Sequence, residues 1–178
     1  MKTRELTKMS ICIALLCVSA YISFPLPFTP AMVTALTVMI NLIGLILTPK
    51  QSAIVMGVYI LLGICGIPVF VGGTAGLGKL FGPTGGFILG FLVAAPVISL
   101  LKGKSNDIRK YLMITILVGM PIIYICGTFT MCLYLKKNIM SALMVSVVPF
   151  IVGDIVKCIA SSFLAVKLNK TLVEIATA

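Results

Sequence analysis

Long apolar runs alternate with short polar, glycine-rich or proline-rich breaks along this chain. The runs cover residues 9–24, 31–48, 52–70, 84–101, 111–135 and 139–168. Most approach the ~20 residues with which a helix crosses a bilayer. The last is too long for one span, and Pro149 divides it, because proline suits the first position of a helix. Residues 149–168 then form a 20-residue span, and 139–148 a separate short segment near the outer surface. The breaks carry their own chemistry. Pro25-Leu-Pro-Phe-Thr-Pro30 ends the first run, Pro49-Lys50 the second, and Lys136-Lys137 the fifth. Lys102 to Lys110 is the one clearly polar linker. The pattern predicts an all-α integral membrane protein, a single domain over residues 1–178 with six transmembrane helices.

Composition leads to the same class. Of the 178 residues 60% are hydrophobic and 10% charged, with a mean hydropathy of +1.22. Soluble domains are about a quarter charged. The net charge of +10 does not indicate nucleic acid, because the basic residues form short clusters between apolar runs without interleaved aromatics. It fits the excess of Lys and Arg on cytoplasmic loops. With both termini cytoplasmic, ten basic residues face inward: Lys2, Arg4, Lys8, Lys50, Lys102, Lys104, Arg109, Lys110, Lys167 and Lys170. Three face outward: Lys79, Lys136 and Lys137. The first 20 residues also have the outline of a signal peptide, ending in Val18-Ser19-Ala20. No soluble domain follows, so they read as a retained first helix.

The six cysteines lie within apolar runs without a C-x-x-C pair, and read as small buried hydrophobes rather than a disulfide or metal framework. The chain has no His, which removes the commonest general base and metal ligand.

Two features carry candidate chemistry. Gly73-Thr-Ala-Gly-Leu-Gly78-Lys79 fits the start of a phosphate-binding loop, but Leu80 stands where Mg²⁺ requires a hydroxyl. The charge bias also places this loop outside, away from ATP. Eleven of the 16 glycines lie between Gly57 and Gly90. They serve helix packing, or a loop that turns back over a ligand with bare N–H groups. The second feature is Asp154 with Lys157, the only ionisable residues in the interior of the predicted spans apart from Tyr and Cys, Lys167 lying at the very end of the last. Three residues apart, they share one helix face. They read either as a self-neutralised packing pair or as a polar site. Counted from Pro149, they lie roughly 7 and 12 Å into the membrane, below the glycine loop. Asp154 supplies acceptors and Lys157 donors, so a ligand would carry N–H donors at one point and a carbonyl or carboxylate at another.

Four motifs occur in order: Pro25-Leu-Pro-Phe-Thr-Pro30; Gly66-Ile-Pro-Val-Phe70 running into Gly72-Gly73; Gly82-Pro-Thr-Gly-Gly86 with Gly90-Phe91; and Pro149-Phe150 with Gly153-Asp154-x-x-Lys157. Together, over nearly the whole chain, they resemble the BioY family, the substrate-binding S components of energy-coupling factor (ECF) biotin transporters. The resemblance implies the six-helix S-component fold and an extracellular biotin pocket. It also implies a partner module of one transmembrane coupling protein and two ATPases in a prokaryotic plasma membrane. Neither enzymatic activity nor a cofactor is expected of this chain.

Asp154 would accept from the ureido N–H groups, and Lys157 would meet either the carboxylate or the ureido carbonyl. Thr34, Phe28, Phe70 and Tyr124 are further binding candidates, with backbone groups of Gly72 and Gly73 closing the lid. Leu36 and Phe87 stand where the family often has Gln and Tyr. Ser10, Ala14 and Cys17 form a small-residue face on the first helix, the expected docking face for the coupling protein. An S component for another vitamin and a stand-alone ion-coupled exporter are the alternatives. An intramembrane enzyme lacks the paired acids or nucleophile with base that it would need.

Overall fold

The computed structural model describes residues 3–25, 27, 31–136 and 138–177. The chain opens with helix α1 (Thr3–Ser19) and a short antiparallel hairpin of β1 (Ser23–Pro25) and β2 (Met32–Thr34). Ser23 faces Thr34 and Pro25 faces Met32 in its register. Helices α2 (Leu36–Ile46) and α3 (Pro49–Ile64) follow, then a glycine-rich loop containing the single-turn helix α4 (Leu77–Leu80). Helix α5 spans Gly85–Lys102. Helix α6 (Ile108–Ile114) runs through a π-helical turn (Thr115–Gly119) into α7 (Met120–Leu135). The short α8 (Ile139–Ser146) leads to α9 (Ile151–Thr177).

Local chemistry explains where helices start relative to the apolar runs. In the second run the helix begins only at Leu36, because residues 32–34 are paired in the hairpin and the Thr34 hydroxyl accepts from the Leu36 N–H. The third helix starts ahead of its run, at Pro49. There Thr48 and Gln51 form a reciprocal capping box, with proline in the first turn. It stops at Ile64, and Gly66 turns the chain out with φ +96°. Residues 65–70 therefore enter the loop rather than extend the helix.

The main core joins α1, α2, α3, α5 and α7 through Leu16, Ile40, Met56, Tyr59, Ile88, Phe91 and Ile123. Helix α5 packs along α7 through Gly86 and Gly90. A Cβ on Gly86 would strike the Cys126 carbonyl, and one on Gly90 would come 3.1 Å from the Ile123 Cα. Gly85 passes against the backbone of Leu80 and so holds α4 to the head of α5. Close packing thus explains Gly63, Gly85, Gly86 and Gly90 of the glycine cluster, whereas Gly66, Gly72, Gly73 and Gly76 take positive φ in the loop.

The two ends of the bundle differ. At one end, Lys102 and Asn169 both donate to the Leu45 carbonyl, at 2.6 and 3.1 Å, and Ser99 donates to Leu47. Asn106 donates to Val166, and Arg4 to Leu172. This end gathers Arg4, Lys50, Lys102, Lys104, Arg109, Lys110, Lys167 and Lys170. The glycine loop with Lys79, the hairpin, and the α7–α8 turn with Lys136 belong to the other end. Lys2 and Lys137 lie outside the described residues.

Among the described residues two helices, Gly85–Lys102 and Ile108–Tyr134, are long and apolar enough to cross a membrane. The pair Ile139–Ser146 and Ile151–Leu172, bent by 52°, makes a third such path if taken as one span.

Candidate functional site

Asp154 sits in the first turn of α9, where its N–H donates to the Phe150 carbonyl and its side chain turns into the bundle. Only 6% of the residue is exposed. One carboxylate oxygen accepts from Lys157 Nζ at 2.8 Å, one helical turn on. The other accepts from the Tyr124 hydroxyl of α7 at 2.7 Å. A buried carboxylate is tolerable only with such partners.

These three side chains line a cavity with about 640 Å³ of unfilled space, part of it open to solvent. Its walls come from the hairpin (Met32, Thr34), α2 (Thr37), the loop (Val71), α5 (Phe87, Ile88, Phe91), α7 (Ile123) and Phe150. The single-turn helix α4 contributes Lys79, and the residue before α5 contributes Thr84. An apolar, concave site with few convergent polar groups is the usual form of a small-molecule pocket. A small pit adjoins it, lined by Thr37, Asn41, Met120, Ile123, Tyr124, Asp154 and Cys158. There Asn41 donates to Cys158 Sγ at 3.5 Å, while its own carbonyl oxygen is buried without a partner among the described residues.

The sequence candidates fall into groups. Asp154, Lys157, Tyr124 and Thr34 come together around the cavity. Phe70 does not line it. Phe70 is fully buried, its ring seated over Gly63 and edge-on to Tyr59 with centroids 5.8 Å apart. Its neighbour Val71 takes the place in the wall.

Gly72 and Gly73 adopt φ +72° and +68°, which suits glycine. Their N–H groups donate to the Ala20 and Phe70 carbonyls, at 3.1 and 3.0 Å, so these amides hold the loop's own turn, and neither residue lines the cavity. Phe28 lies outside the described residues. Ser10 and Ala14 are exposed on α1, whereas Cys17 is half-buried against the core.

Thr37 and Asn41 went unmarked in the sequence, and Thr84, Phe87, Phe91 and Phe150 stood out only as motif positions, not as binding candidates. Asn41 had a signal, as the one amide inside an otherwise apolar run. Phe87 is partly legible as the residue following Gly85-Gly86; its ring rests over Gly127 and faces the cavity. The others resemble ordinary core or loop residues.

The BioY family model matches residues 1–174. The chain belongs to the BioY family. A biotin transporter BioY of Thermotoga maritima is 36% identical over 96% of this chain and 99% of its own length. A probable biotin transporter BioY of Pyrococcus horikoshii is 35% identical over 95% and 98%. Biotin transporter BioY2 of Lactococcus lactis is 32% identical over 96% and 93%. The solved S-component for biotin from an ECF-type ABC transporter matches with a TM-score of 0.89, at 24% identity over 96% of this chain and 95% of that one. The S component of a bacterial ECF transporter matches with a TM-score of 0.63 at 20% identity. This BioY-family chain therefore has the fold of an ECF S component. It is a membrane transport protein, not an enzyme.

Proposed function

We propose that this chain captures biotin with high affinity at the extracellular side and presents it to an ECF coupling module for ATP-driven import. The observation that carries this reading is the buried Asp154 carboxylate, held by Tyr124 and Lys157 in the wall of an apolar cavity beneath a lid. A carboxylate offers about four lone-pair sites. Tyr124 and Lys157 use two, which leaves acceptor capacity for the two N–H donors of biotin's ureido ring. Phe87, Phe91 and Phe150 suit the bicyclic rings and alkyl chain.

Six membrane crossings account for the rest of the architecture. Helix α2 alone is about 16 Å long and α3 about 24 Å, at 1.5 Å per residue, short of the ~30 Å apolar layer. The strand β2 adds about 10 Å ahead of α2. Irregular backbone at membrane depth is tolerated where it lines a cavity, as Met32 and Thr34 do. Segregation of the basic residues supports cytoplasmic termini and a lid facing outward. The exposed Ser10 and Ala14 support α1 as the docking face, with Cys17 at its edge. ATP hydrolysis belongs to the two ATPases of the module, and the chain itself uses no cofactor.

Binding of biotin, riboflavin and thiamin to the purified protein tests the reading. Saturable, tight binding of biotin alone is expected. Binding of another vitamin in its place would reassign the ligand.

A further inference from the structure

We propose that Lys79, on α4, recognises the ligand's carboxylate, so that the site selects the free acid over its esters and amides. This rests on the biotin reading above and assigns the group that meets the acid tail. Among the described residues lining the cavity, three are charged: Asp154, Lys157 and Lys79. Lys157 is held against Asp154 at 2.8 Å, so that pair is neutral overall. Lys79 forms no salt bridge with a described residue. It is partly buried in the cavity wall and gives the site one uncompensated positive charge.

The two poles stand on different parts of the fold. Helix α4 packs on α3 and α5, whereas α9 packs on α2 and α6. The lining supplied by Val71, Phe87, Ile88 and Phe91 is apolar. The arrangement fits a ligand with N–H donors at one point, an anion at another and an apolar stretch between. Thr84 reinforces the anionic pole. It follows α4 closely in the chain and lines the same cavity, and its buried hydroxyl has no partner among the described residues. That hydroxyl can donate to a carboxylate oxygen.

The test compares biotin with biotin methyl ester, which keeps the ureido ring and loses the charge. Calorimetry on the detergent-purified full chain is done with wild type, Lys79→Met, Lys79→Arg and Lys157→Met. Wild type is expected to bind the acid roughly 10-fold more tightly than the ester, on the scale of one charge-assisted hydrogen bond. Lys79→Met should lose that preference by weakening acid binding alone, and Lys79→Arg should restore it. Lys157→Met, which serves Asp154, should weaken acid and ester alike. If Lys79→Met keeps the acid preference, or Lys157→Met alone removes it, the assignment of Lys79 is overturned while the biotin reading stands. Failure of wild type to bind either compound overturns both.

Discussion

Asp154→Asn removes one negative charge and keeps the shape of the side chain. In the native site the carboxylate faces Lys157 at 2.8 Å and Tyr124 at 2.7 Å. At an effective dielectric of 20, unit charges at that separation attract by about 6 kcal/mol. Desolvation offsets most of this. The asparagine carbonyl can still accept from Tyr124, but its NH₂ then faces the Lys157 ammonium or the ligand's N–H, donor against donor. The loss on ligand binding is about one charged hydrogen bond, ~1.5–3 kcal/mol, or roughly 10- to 150-fold in Kd.

Stability complicates the single variant. Removing one partner of a buried pair costs about 3–5 kcal/mol. The double variant Asp154→Asn/Lys157→Met removes both charges and relieves that penalty. Calorimetric titration with biotin and thermal unfolding in detergent are measured on wild type, both single variants and the double. The double is expected to regain thermal stability and monodispersity yet bind biotin at least 10-fold more weakly than wild type. If it recovers biotin affinity together with stability, or if both single variants bind like wild type, the pair serves only to hold the helices. The assignment of Asp154 as the recognition group would then be wrong.

Ala14→Trp on the exposed face of α1 should abolish co-purification with the coupling module while biotin binding persists, and loss of biotin binding instead would place that face inside the bundle. In a background without the six native cysteines, single cysteines at Leu77 and Lys136 should react with an impermeant thiol reagent in intact cells. One at Lys104 should not, and its labelling would reverse the orientation. Gly86→Val drives a side chain into the Cys126 carbonyl and Thr130, so it should lower the unfolding temperature by an amount matching ~1–3 kcal/mol or more. Gly57→Ala, inside α3 with no atom near the new Cβ, should raise stability by up to ~1 kcal/mol.

The sequence alone determined the membrane class, the order of the principal helices and the break between α8 and α9, because apolar run length and proline are local signals. It also singled out Asp154 and Lys157, since charges in an apolar run stand out and a three-residue spacing sets a shared helix face. Tertiary structure decided what those charges meet. Tyr124 reaches Asp154 from a residue 30 positions away, and no periodicity encodes that meeting. Phe70 and Val71 illustrate the same limit. Both sit in one glycine-rich loop, yet Phe70 fills the space that Gly63 leaves, while Val71 faces the cavity. Which of two neighbours turns inward depends on the left-handed turns at Gly72 and Gly73 and on the Gly72 N–H donating to Ala20. Lys79 passed as a loop charge for the same reason. The packing of α4 on α3 and α5, with Gly85 against Leu80, brings its lysine into the wall of the site.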